Sequence, residues 1–393
     1  MKKVVSLVTT VVASLLIMIP ATVAHAGTTV YNVPTSINSN CTADAWAGLT
    51  SFIATVPDGT ATNTSTIQFA ANTCYLLSAP LVLDGRNYLV FVSGGTKHNG
   101  TAGAYTNGTE ITTNIVPVCN DQGTDAHIIK LKASAGPSSN IEFDGFNLVG
   151  DNPTPGVFYP SQYCQHGIMA NNTPGFTAKY LSISNTYGDC IYISDQSGQP
   201  TNSAIRYVAC TNPGREGFSV LNATEGTGNL SVLITNCTVY DARNGVTMDK
   251  NSSGDAAPGV QVVNNNFQQT RNFMLQYVND SNDAVVTGNT CSNKCGDTVF
   301  KAGAINATVT GNTLGSVWLN DVNAVNMNGN TLTECPYGNG DYVKVGNIDV
   351  EVPTDSSYVT NNNGTGGHSC HGFQTIQGGT TQNNLTESGN TWS

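Results

Sequence analysis

Ionisable side chains are scarce in this chain of 393 residues, where Asp, Glu, Lys and Arg make up 10%, against about a quarter in ordinary domains. Several of the few stand at the starts of short apolar stretches: Gln165-His166, Gly188-Asp189, Arg215-Glu216, Arg243-Asn244, Arg271-Asn272 and Gly296-Asp297. Their types suit two reactions on sugars. Glycoside hydrolysis needs one protonated and one ionised carboxyl, and Asp189 with Glu216 or Asp249 would serve. Elimination from a uronic acid needs a base for the proton beside the carboxylate and a cation to neutralise that carboxylate. His166 would be that base, and Arg215, Arg243 and Lys250 the cations. Asp189, Arg215, Glu216 and Asp249 are therefore the catalytic candidates. His166, Tyr192, Asp195, Arg243 and Lys250 are the substrate-binding candidates, Tyr192 as a ring that stacks on a sugar. Asp189, Asp195 or Asp249 could instead hold Ca²⁺. The competing reading is structural: Arg and Asp at successive turns can form a salt-bridge ladder, and a buried Asp can merely cap backbone N–H groups.

The apolar stretches recur. The steps between His166, Asp189, Glu216, Asn244, Asn272 and Asp297 are 23, 27, 28, 28 and 25 residues. A second series falls between them: residues 181–185, 208–212, 232–236, 262–266, 286–289, 309–312 and 327–330, each ending in Asn. Each period thus reads as two short alternating strands separated by Gly, Asn or Asp turns. Such a period without an intervening helix spells an all-β solenoid of stacked coils. Ile168, Ile191, Phe218, Val246, Met274 and Val299 should form one internal column. The terminal Asn residues suit left-handed turn positions, and their side chains can hydrogen-bond between coils. With adjacent coils about 4.8 Å apart, the coil-start residues would share one outward cleft over residues 150–250.

A solenoid must close its exposed core. Thr42 to Ile53 places Trp46, Leu49, Phe52 and Ile53 at helical spacing, with Thr42 as N-cap, and reads as a short N-terminal capping helix. Residues 65–69 read as the first strand, residues 93–125 as a long excursion, and residues 336–393 as irregular coils after clear ones at about 60–335. Residues 1–26 read as an export signal: Lys2 and Lys3, an apolar run, then Ala24-His25-Ala26. The remaining single domain, 27–393, holds no segment apolar enough to span a bilayer. Its charge becomes −13, because the signal carries two Lys and no acid and the full chain stands at −11. So acidic a chain is a poor partner for nucleic acid. Export permits disulfides. Cys291–Cys295, Cys41–Cys74 and Cys335–Cys370 are plausible pairs, and an odd total of 11 Cys leaves at least one unpaired within the chain.

The strand series and the opening Phe52…Pro57-Asp58-Gly59…Ile67…Phe69 stretch resemble the secreted right-handed parallel β-helix proteins of the pectate-lyase superfamily, over roughly residues 42–335. The resemblance implies a single-stranded right-handed parallel β-helix with carbohydrate laid along one outer face. Asn185-Thr-Tyr-Gly-Asp189 resembles the Asn-Thr-Asp-Gly stretch of polygalacturonases, but Tyr187 replaces the first Asp and the rest of that family's catalytic set is missing. A closer likeness is to exported bacterial β-helix proteins, through Gly188-Asp189, Gly214-Arg215-Glu216-Gly217-Phe218 and Val246-Thr-Met-Asp249. The expectation is an exported protein that binds a polysaccharide and cleaves it by elimination or hydrolysis. The alternative is a non-catalytic adhesion protein that uses the same face for glycan or protein. An ice-binding solenoid would need a regular Thr-x-Thr ladder through the coils, which the sequence lacks.

Overall fold

The computed structural model describes residues 27–115, 126–132, 134–152, 154, 156–157, 165–195, 199–226, 228, 230–249, 258–278, 281–333, 341–345, 357–365, 371–375 and 385–392. The expected export signal lies outside them. Among the described residues the chain winds through three all-parallel sheets in the order A, B, C, and its first and last coils have strands in A and B alone. Sheets A and B have 13 strands each and sheet C has 11. The architecture is a right-handed parallel β-helix. No described helix is long and apolar enough to cross a membrane.

A complete coil therefore carries three strands, where the sequence pattern suggested two. The second series in fact mixes two sheets. Ser182–Ser184 and Ala209–Thr211 belong to sheet B, while Val232–Thr235, Val260–Val263 and their successors belong to sheet A. The two sets look alike because both sheets end in a left-handed corner: Asn185 and Asn212 after B, Asn236 and Asn264 after A, all with φ between 52° and 57°.

The predicted internal column holds through four members, with Ile168 opposite Ile191, Ile191 opposite Phe218 and Phe218 opposite Val246. It then passes to Leu275 and Thr298, not to Met274 and Val299. An irregularity in pairing between Phe273 and Leu275 accounts for the slip at Thr298. In a strand of period two, a slip of one residue exchanges the faces. Ile183, Cys210, Val239 and Phe267 stack in the same way from sheet B. All these side chains are buried, and they are what each coil cannot bury alone.

Two strands precede the one expected to be first, Gly27–Asn32 in sheet A and Asn40–Asp44 in sheet B. The helix runs Trp46–Thr55 and buries Leu49 and Ile53 over the end of the core. It starts later than the sequence suggested, because Thr42 is in the strand. Asp44 Oδ1 accepts the Trp46 N–H (3.0 Å) in place of the expected Thr42 cap. Arg86 closes the other end by donating to the Ile53 and Val56 carbonyls (3.1 and 2.6 Å) while its Nε holds Asp58 (2.6 Å). At the far end, the described strands between 341 and 392 keep the same sheet order.

A ladder of buried amides runs along the corner after sheet A. Asn265, Asn289, Asn312, Asn330 and Asn362 each donate Nδ2 to the Oδ1 of the next Asn, ending at Asn390, over 2.8–3.0 Å. Each Nδ2 also reaches a strand carbonyl one coil back, and each backbone N–H bonds to the next Oδ1. Satisfied amides of this kind cost little to bury. Cys237 takes the rung before Asn265: its N–H donates to Asn265 Oδ1 (2.8 Å) and its Sγ meets the Ile205 carbonyl (3.6 Å). It is buried and unpaired, and burial pushes its thiol up to about 12. Disulfides join Cys41–Cys74 and Cys291–Cys295 as expected, and Cys190–Cys210, which spacing had not suggested. Cys335 and Cys370 lie outside the described residues.

Candidate functional site

The register of sheet C places one position two residues before each column residue of the core. From successive coils that position holds His127, His166, Asp189, Glu216 and Asn244. All five are buried, at 6% exposure or less. Each of the first three side chains accepts a backbone N–H from the next member. His127 Nδ1 takes that of His166 (3.1 Å), His166 Nδ1 that of Asp189 (2.9 Å), and Asp189 Oδ1 that of Glu216 (3.1 Å). Asn244 continues the series with its side chain, donating Nδ2 to Glu216 Oε1 (3.1 Å). The coil starts are polar because this corner, too, has backbone donors to satisfy away from water.

Onto this ladder the chain hangs an ion network. Arg215 reaches Asp189 Oδ2 through Nη1 (3.2 Å) and Glu216 Oε1 through Nη2 (3.4 Å). Arg243 Nη2 meets the same Glu216 oxygen at 2.8 Å. Ser219 Oγ donates to Glu216 Oε2 (2.8 Å), and Asn244 Nδ2 also reaches Thr247 Oγ1 and Gln276 Oε1. Burial pushes Asp189 up, and the Arg215 charge pulls back only part of that, leaving it at about 6. Burial also opposes ionisation of Glu216, but Arg215, the Thr247 hydroxyl and Arg243 together outweigh it and hold this carboxyl below its usual range. Two neighbouring carboxyls are thus driven apart. The 3.7 Å approach of His166 Nδ1 to Asp189 Oδ2 is not an ion pair. That nitrogen already accepts an N–H, so it carries no proton.

The remaining candidates are distributed unevenly. Tyr192, expected to offer its face to a sugar, is 8% exposed and stacks on His166, with ring centroids 4.9 Å apart. His166 stacks in turn on His127 at 4.9 Å. Asp195 is buried at the exit of its strand, where Oδ2 accepts from Thr201 (3.4 Å). Asp249 lies opposite Leu221 at the exit end of its own strand and is half-buried. At about 3.3 Å per residue, both exits stand roughly 16–20 Å from the coil starts, so the single expected cleft divides into a start cluster and an exit edge. Of the two expected acid pairs, Asp189 with Glu216 is adjacent and Asp189 with Asp249 is not. Asp249 acts from a distance, as one of the charges that raise Arg215. Lys250 lies outside the described residues. Asp189, Asp195 and Asp249 do not converge as a calcium site would require. Among the described residues, the one group of three possible ligands is Cys41, Cys74 and Glu110, whose two sulfurs are bonded to each other.

Sequence reasoning missed His127, Ser219 and Gln276. His127 was hidden because the excursion before it broke the period, although Ala126-His127-Ile128-Ile129 has the same coil-start form. Arg271, expected among the coil starts, instead pairs with the buried Asp241 (2.7 Å).

What reaches solvent above the buried carboxyls includes 10% of the Arg215 side chain, 25% of that of Arg243, and part of Gln276. Such edges can hydrogen-bond hydroxyls or carboxylates of a chain laid across the coils.

No protein-family model and no curated protein sequence matches the chain. Solved structures do. The A-module of the Azotobacter vinelandii mannuronan C-5 epimerase AlgE6 superposes with TM-score 0.55 at 14% identity, over 92% of this chain and 99% of that one. The Streptococcus pneumoniae surface protein and adhesin PfbA gives 0.52 at 11%, over 93% and 97%. ORF18 of Geobacillus virus E2 gives 0.51 at 10%, with 88% of this chain spanning 61% of that one. At such identities, what these proteins share with this chain is the parallel β-helix fold.

Proposed function

We propose that the chain is exported and binds a polysaccharide along the outer face of sheet C, across the coils that begin at His166, Asp189, Glu216 and Asn244. The observation that carries this is the ion network. In a chain with 10% charged residues, two Arg from successive coils crown two buried carboxyls and present only their edges to solvent. Apolar residues in those places would commonly give equal or greater stability, so the network points to a use beyond the fold. The disulfides agree with an oxidising compartment. The fold neighbours include an epimerase of mannuronan and a surface adhesin, which supports a glycan partner without fixing a reaction.

A second reading, bond cleavage, rests on the opposite shifts of Asp189 and Glu216. A carboxyl that keeps its proton to about pH 6 beside one held ionised is the division of labour that glycoside cleavage uses. Burial of both at 1% exposure or less favours binding over cleavage, because a sugar cannot touch either without displacing an Arg.

The test is a panel of alginate, pectate, xylan and β-glucans assayed for binding, for new reducing ends and for the ultraviolet absorbance of an unsaturated uronide. Binding without products supports the first reading. Reducing ends alone indicate hydrolysis, and reducing ends with absorbance indicate elimination. No binding and no product on any member would refute both.

A further inference from the structure

We propose that the C-terminal half of sheet A, on a face other than that of the ion network, is a second binding surface, for an uncharged polysaccharide. The outward positions of its strands read Val285 and Thr287, Thr308 and Thr310, Asn326 and Asn328, Tyr358 and Thr360. The strand pairing aligns these into two columns. The residues between them, Val286, Val309, Met327 and Val359, are buried, so the outward assignment follows from alternation. None of the eight outward residues is charged. The first strand positions of the adjoining sheet B continue the pattern with Thr290, Thr313, Thr331 and Asn363.

Seven of the eight outward side chains carry a hydroxyl or an amide, and none carries a charge. The side chains are held in place before any ligand arrives. Thr287 and Thr310 share a hydroxyl hydrogen bond (3.1 Å), and Asn328 Oδ1 accepts from Thr360 Oγ1 (3.3 Å) and Asn361 Nδ2 (3.0 Å). Preordered groups of this kind lower the entropy cost of binding. Within the same columns Tyr358 stands out 43% exposed, with Asn326 beside it on the preceding strand. An exposed aromatic face flanked by amides and hydroxyls suits a sugar ring, whose C–H face packs on the π-system while its hydroxyls find donors and acceptors. A charged polymer would meet no counter-charge on these columns, and an uncharged one loses nothing by that. Ice is the other ordered array of hydroxyls, but only one of the four strands offers Thr at both positions, and Tyr358 breaks the plane.

The experiment is affinity electrophoresis through gels containing xylan, hydroxyethyl cellulose or a soluble β-1,3-glucan, with pectate and alginate as charged comparisons. At least one uncharged polymer should retard the protein. Tyr358→Ala and Thr310→Lys should each weaken that retention about tenfold, the loss of one good contact, with unchanged circular dichroism. Val30→Lys, at the opposite end of sheet A, should retain it. Absence of retardation by every uncharged polymer would overturn the proposal. So would retention that survives both substitutions, or adsorption to ice alone. Neither substitution touches the sheet C network, so a ligand held there stays bound, and the two sites stand or fall separately.

Discussion

Asp189 connects ladder and network, and its two roles can be separated by substitution. Its Oδ1 caps the Glu216 N–H and its Oδ2 neutralises Arg215. Asp189→Ala orphans a buried donor and a buried cation, and should cost about 3–5 kcal/mol in urea unfolding. Asp189→Asn keeps the acceptor and loses only the charge, so it should cost less than half as much. The pH dependence gives a second handle. The Asp189 carboxyl lies at about 6 in the fold against 3.8 for the ordinary group, so the folded state binds this proton more tightly. Its contribution is complete below about 3.8 and is lost as pH rises through about 6. Glu216 runs the other way: held below 4.5, it contributes above that value and loses its contribution as pH falls. Unfolding curves between pH 4 and 7 should therefore show the Asn variant gaining on the native chain as pH rises. A constant difference would mean that Asp189 is ionised throughout. Of these roles, the sequence disclosed the clustering of charge, since Arg215-Glu216 and Gly188-Asp189 stand at equivalent positions. It did not disclose which atoms face inward. Tyr192 occupies an outward strand position, yet His166 covers one face of it, and that packing depends on neighbours from other coils.

At the scale of the element, the amide ladder begins where Cys237 stands. Its Sγ meets both the Val208 N–H (3.5 Å) and the Ile205 carbonyl (3.6 Å), the two kinds of group that the Asn rungs bond below it. Cys237→Asn should extend the ladder by one rung, leaving stability unchanged or higher, whereas Cys237→Val should lose about 1–2 kcal/mol. The native thiol, buried and pushed up to about 12, should resist thiol reagents until the chain is unfolded. Asn312→Ala removes a rung bonded on both sides and should cost about 2–4 kcal/mol, well above Asn306→Ala at a left-handed corner. The repeat itself was legible, because apolar alternation and Asn-rich corners recur every 23–28 residues. The number of strands per coil was not. Sheets A and B both end in an apolar-x-apolar pattern followed by a left-handed residue, so residues 181–185 and 232–236 read alike from different sheets. Nor was the change of register at Leu275, since adding or removing one turn residue leaves the apolar pattern intact while exchanging its faces.

Across the whole molecule, the buried ion network and the uncharged outward columns stand on different sheets. Arg215, Arg243, Asp189 and Glu216 gather on one side in the middle coils, and the later coils of sheet A present hydroxyls, amides and one tyrosine. A rod of stacked coils makes this possible, because each face is written one coil at a time. The proposed role of the charged face, holding a polysaccharide through its Arg edges, rests on Arg215 and Arg243. Titration calorimetry of the native chain, Arg243→Ala and Arg215→Lys against the polymer selected by the panel tests it most directly. Both substitutions should weaken binding at least tenfold, about 1.4 kcal/mol, with circular dichroism unchanged. Arg215→Lys should be the more severe, since one ammonium cannot reach both Asp189 and Glu216 as the guanidinium does. Equal affinity in all three proteins would contradict the assignment of this face.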